Sequence, residues 1–150
     1  MTKWILGVLV ALAMLIGAPT ASADTDALAE APPTSTPMPA LPVIESLEPV
    51  ATAYWALRGV TLPPVEVFYV EKIPSDWAAA EEPGSRIWLT EAFLNQTGRG
   101  GRELQCIVWL HERGHTAGLT HESPDPVMNA DLAGAPGFRV PPKCKEWARS

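Results

Sequence analysis

Apolar residues recur at spacings of three and four along IESLEPVATAYWALRG, residues 44–59. Ile44, Leu47, Val50, Ala51, Tyr54 and Leu57 fall on one face, which predicts an amphipathic helix. Ser46 is placed to cap it. Pro49 then falls in its first turn, where a missing N–H does no harm, and Gly59 ends it. The pattern changes at VEVFYV, residues 65–70, which is β-branched and aromatic and reads as a strand. IPSDWAAAEEPGS, residues 73–85, has Pro-Gly turn signals and reads as irregular. RIWLT, residues 86–90, is a short second strand, and residues 95–101 are a loop. From 102 to 117 the helical period returns. Leu104, Ile107, Val108, His111 and His115 form one stripe, so two histidines extend the apolar face of this helix. After Met128 the chain reads as loop through residue 137. PPKCKEWARS, residues 141–150, is a short last helix with proline at its start. No internal repeat is present.

The ends of the pattern set the domain limits. Lys3, the apolar run from Trp4 to Ile16 and the small residues Ala21-Ser22-Ala23 read as a secretory signal peptide over 1–23. The run is too short to span a bilayer comfortably. Residues 24–42 hold five prolines and few bulky apolar groups, the composition of a disordered or polyproline-like tether. The folded part is expected over 43–150, one α+β domain.

Charge and cysteine content add two constraints. The whole chain has a formal net charge of −6. Lys3 is the sole charged residue before residue 24, so the remainder is more acidic still. That balance offers no electrostatic footprint for nucleic acid or anionic lipid. The expected form is a secreted, extracellular monomer with no stable membrane association once the signal is removed. Cys106 and Cys144 would meet an oxidising compartment, and an even count predicts a disulfide; free buried thiols are the alternative.

The chemistry is concentrated in HERGHTAGLTH, residues 111–121, which contains every histidine of the chain. His111 and His115 are one helical turn apart, so both imidazoles leave the same face. Glu112 is about a hundred degrees around the helix, placed to reach water without binding a metal. Gly118 allows a sharp turn that brings His121 back as a third ligand. Three protein ligands leave a fourth position open, the arrangement of a catalytic zinc site.

These residues match, position for position, the HExxHxxGxxH motif of the metzincin metalloproteases. Met128, in PDPVMNA, stands where that family has its Met-turn, and the short interval with Asp125-Pro126 inside it resembles the matrixin branch. The resemblance implies a small zincin-like domain with a short mixed sheet, an active-site helix and a C-terminal helix. It implies that His111, His115 and His121 ligate one Zn²⁺, that Glu112 is the general base, and that Met128 forms an apolar floor beneath the metal. RIWLT would be the edge strand that pairs with a peptide or protein substrate. Residues 130–138 would wall the pocket beyond the scissile bond. The implied activity is that of a secreted zinc endopeptidase; a non-catalytic zinc- and peptide-binding module is the alternative.

Two positions depart from the family pattern. Asn129 follows Met128, and the proline common two residues beyond the matrixin methionine is absent. Arg113 occupies a motif position that is usually apolar. A solvated side chain on a partly open face is its plainest reading. A stack on Trp109 or an ion pair with a buried carboxylate are the alternatives.

Overall fold

The structure is a computed structural model that describes residues 36–37, 41–71, 73, 78–80, 84–132 and 138–150. The signal peptide expected over 1–23 lies outside them, as does most of the expected tether. Among the described residues the chain is a mixed α/β structure, with four helices and a small sheet. It comprises β1 (Thr36–Pro37), α1 (Pro42–Ala56), β2 (Glu66–Tyr69), β3 (Ala78–Ala80), β4 (Arg86–Leu89), α2 (Glu91–Leu94), α3 (Gly98–Thr116) and α4 (Pro142–Trp147). A single 3₁₀ turn, Pro126–Met128, lies between α3 and α4.

Helix α1 starts before the expected position. Pro42 opens it, where its fixed φ suits a first turn. Pro49 therefore lies inside the helix, and its missing N–H forfeits one intrahelical bond. Burial of Leu47, Ala51, Tyr54 and Trp55 on one face offsets that loss. Ser46 is not a cap: its hydroxyl donates to the Val43 carbonyl at 2.8 Å and accepts from Trp147 Nε1 at 3.0 Å. Leu57, expected on the apolar face, is 83% exposed because it falls past the last helical turn. Gly59 has φ +72°, the left-handed conformation expected of a stop.

The four strands are ordered β1-β2-β4-β3. β2 and β4 are parallel, while β1 and β3 run antiparallel to their neighbours. Two readings change here. Ala78–Ala80 falls in the segment expected to be irregular from its Pro-Gly turn signals. It pairs with β4, and Ala78 is buried in the main core. In consequence RIWLT is not an edge strand: β4 is flanked by β2 and β3, and β3 is the outermost strand on that side among the described residues. Thr36–Pro37, within the expected tether, pairs with β2 at the other side.

Alternation along β4 separates two cores. Ile87 and Leu89 join the main cluster beneath the helices. Trp88 points the other way and packs with Val70, Ile73 and Phe68. Helix α3 runs through the main core. It begins at Gly98, not at 102, and every residue from Gln105 to Thr116 is buried. Trp55 of α1 is 1% exposed and donates from Nε1 to the Leu110 carbonyl at 2.9 Å. Truncating such a side chain to alanine costs about 3–5 kcal/mol. On the opposite flank a Cys106–Cys144 disulfide joins α3 to α4, with Cα atoms 5.5 Å apart. The short last helix is thus fixed covalently as well as by the burial of Trp147.

Candidate metal centre

Helix α3 ends in a turn that builds the site. The N–H of Gly118 bonds to the His115 carbonyl at 2.8 Å, and that of Leu119 to the Gly114 carbonyl at 3.1 Å. This double closure needs a left-handed residue, and Gly118 supplies it with φ +83°. The reversal carries His121 back over the end of the helix.

The three imidazoles converge. Nε2 of His115 is 2.9 Å from Nε2 of His111 and 3.2 Å from Nε2 of His121. The third side of the triangle, His111 to His121, is also 3.2 Å. His111 and His115 are each 7% exposed, while His121 is exposed on the solvent side.

Proton placement follows from the outer partners. Nδ1 of His111 is 2.7 Å from the Val127 carbonyl, and Nδ1 of His115 is 2.8 Å from the Leu119 carbonyl. A carbonyl only accepts, so each Nδ1 carries the proton and each neutral ring turns its Nε2 lone pair inward. Burial pushes His115 down to about 4, against the bond to the Leu119 carbonyl, which favours the charged form. The ring is therefore neutral at neutral pH. Lone pairs meeting at such distances repel unless a cation lies between them. An ion at the usual 2.0–2.1 Å from histidine nitrogen can reach all three corners of this triangle from one point. The three histidines thus form a group that can hold a metal ion.

Glu112, the neighbour of His111, is 6% exposed and lies within the same buried turn of α3. Met128 is fully buried beneath the helix end. Its sulfur packs over Gly114, where an added Cβ would collide with Met128 Sδ and lie 2.9 Å from Trp55 Cζ2. Gly114 is the second of the two variable positions of the motif, so sequence reasoning assigned it no role. The pocket wall expected from residues 130–138 lies largely outside the described residues, because 133–137 are not among them.

Arg113 is neither solvated nor stacked on Trp109. It is 1% exposed, and its Nε and Nη2 meet Glu48 Oε2 and Oε1 at 3.1 and 2.7 Å. Nη2 also donates to the Pro63 carbonyl at 2.7 Å and Nη1 to Thr116 Oγ1 at 3.1 Å. The expected open face is closed by α1 and the segment after it, with a pocket of about 420 Å³ beside the pair. Nothing in the spacing of α1 singled out Glu48.

One further carboxylate was left unassigned by the sequence. Asp125 Oδ1 accepts from Tyr54 Oη at 2.7 Å and from the Val127 N–H at 2.9 Å. Its Oδ2 pairs with Arg58 Nε. Arg58 also lies over the Tyr54 ring, 3.5 Å from its centroid.

Comparison with protein-family models, with curated proteins and with solved structures finds no match to this chain.

Proposed function

We propose that this protein is a zinc-dependent endopeptidase of the metzincin type, exported and acting on peptide or protein substrates. The observation that carries the reading is the inward-facing Nε2 triangle of His111, His115 and His121, with protons held outward on the two buried rings. Neutral imidazoles suit zinc among the available divalent metals, and three ligands with a solvent-side opening suit a catalytic site. When bound, the metal supplies Lewis acidity toward a carbonyl group and toward water.

The chain's own residues carry the rest. Glu112 takes a proton from the attacking water and delivers it to the leaving amine. Its place next to His111 in the sequence and its burial are what support this role. Met128 closes the floor against solvent. An extended substrate would pair with the sheet beside β3, the outermost strand on that side among the described residues, in place of RIWLT.

The test is direct. Purified protein should bind one zinc and cleave unfolded casein. Glu112→Ala should retain the metal and lose cleavage by several orders of magnitude. Fully zinc-loaded protein that leaves casein and a peptide library intact would overturn the protease reading. It would leave a zinc- and peptide-binding module.

A further inference from the structure

We propose that Asp125 is a positioning residue for the metal ligand His111, and that Tyr54 of α1 and Arg58, in the turn just after it, hold it in place. The inference rests on the metal-site reading above. It adds a link between that site and a helix that supplies no ligand.

The chain of contacts is short and continuous. His111 must present Nε2 to an ion, so its ring orientation depends on what Nδ1–H meets. That acceptor is the Val127 carbonyl, 2.7 Å away. Val127 lies in a single 3₁₀ turn, which by itself is weakly determined. Asp125 determines it from both of its polar ends. Its backbone carbonyl accepts from the Met128 N–H at 2.9 Å, and its side chain accepts from the Val127 N–H at 2.9 Å. The same carboxylate is anchored from outside the turn by Tyr54 Oη and by the Arg58 guanidinium.

Tyr54 is itself a core residue, 6% exposed, with its ring edge-on to Trp55 at 5.0 Å between centroids. Arg58 is braced by the Tyr54 carbonyl at 3.0 Å and by the face of the Tyr54 ring. Asp125 is therefore held by Tyr54, which is buried on the core face of α1, and by the partly exposed Arg58 side chain that leans on the Tyr54 ring. Hydrogen bonds to an ionised carboxylate are stronger than neutral ones, and three converge on this one. The turn carries the His111 acceptor at Val127 and the floor residue at Met128. A carboxylate that loses its anchor releases both.

The prediction separates positioning from bulk stability. Zinc affinity is measured by competition with a chromophoric chelator, and ligand geometry by the visible absorption of the Co²⁺ form. Asp125→Ala should weaken zinc binding by roughly 10–100-fold and shift the Co²⁺ bands. Asp125→Asn keeps an acceptor for the Val127 N–H and should recover most of the affinity. Tyr54→Phe removes one hydroxyl and opens no cavity; it should weaken zinc binding severalfold and move the same bands. Should Asp125→Ala fail to fold, Tyr54→Phe decides the matter. Folded variants with wild-type affinity and an unchanged Co²⁺ spectrum overturn the proposal. Wild-type protein that binds no metal overturns both this proposal and the protease reading. Wild-type protein that binds zinc but cleaves nothing overturns only the protease reading.

Discussion

Arg113 of α3 and Glu48 of α1 are joined by two parallel hydrogen bonds, at 3.1 and 2.7 Å, with the guanidinium wholly inside the protein. The geometry is the planar fork that arginine forms with a carboxylate and lysine cannot. Glu48 retains 37% side-chain exposure, so the pair bridges core and surface.

Breaking that pair from either side should therefore be costly in unequal measure. Glu48→Ala leaves a buried guanidinium without its counter-charge. The loss should approach the lower end of the roughly 3–5 kcal/mol seen for buried pairs, since Glu48 is partly solvated. Arg113→Ala also abandons the Pro63 carbonyl and should cost at least as much. A double variant, Glu48→Leu with Arg113→Met, should be more stable than either single alanine variant, because no charge is left buried. Urea unfolding midpoints check the order. Equal stability of all four proteins would mean the pair contributes nothing.

Gly114 should tolerate no side chain. The closeness of Met128 and Trp55 means that Gly114→Ala forces one of them aside. Overpacking of this kind costs about 1–3 kcal/mol. Since Met128 lies on the turn that carries the His111 acceptor, zinc affinity should fall together with the melting temperature. A Gly114→Ala protein with wild-type melting temperature and zinc affinity would show that the turn can relax freely.

A metal ion held by the three histidines should also stabilise the fold. Removing it with a chelator leaves the inward lone pairs of His111 and His115 unscreened, and zinc at a hundred times its dissociation constant adds about 2.7 kcal/mol. Zinc should raise the melting temperature of wild-type protein. It should raise that of His121→Ala much less. A zinc-independent melting temperature in wild-type protein would count against the site.

Cys106 and Cys144 should show as a two-hydrogen mass difference on reduction. The bond closes a segment with sequence separation 38 and ties α4 to the helix that carries His111. Its loss in Cys106→Ala/Cys144→Ala should cost about 2–5 kcal/mol. Equal masses with and without reductant would mean free thiols.

How far these features could be read from the sequence depends on whether the cause is local. Helical period and a glycine stop are local, so the convergence of His111, His115 and His121 and the turn at Gly118 were all legible in one stretch of eleven residues. The disulfide was legible from compartment and parity. β3 was not, because three alanines become a strand only when β4 is there to pair with. The start of α1 was missed because Pro49 argues for a helix boundary, and that local preference loses to the burial of Leu47, Ala51 and Trp55. Partners far apart in the chain were invisible: Glu48 for Arg113, Tyr54 and Arg58 for Asp125. Each of those pairings depends on how α1 crosses the C-terminal half of α3, which no spacing encodes.

That crossing also makes the protein's alkaline stability a readout of Tyr54. Burial raises its phenol well above the ordinary value, and the hydrogen bond to Asp125 and that residue's negative charge raise it further, against the nearby Arg58. In the unfolded chain the phenol ionises near pH 10. Below that pH the group is protonated in both states, and its folded contacts contribute in full. Above it the unfolded state releases the proton while the folded state holds it, so stability falls as pH rises toward the folded value. The stability advantage of wild-type protein over Tyr54→Phe should therefore shrink between about pH 9 and about pH 11. Urea midpoints taken across that range give the slope. An advantage that stays constant with pH would show that the Tyr54 hydroxyl is not held by Asp125 in solution, and the link from α1 to His111 would lose its first member.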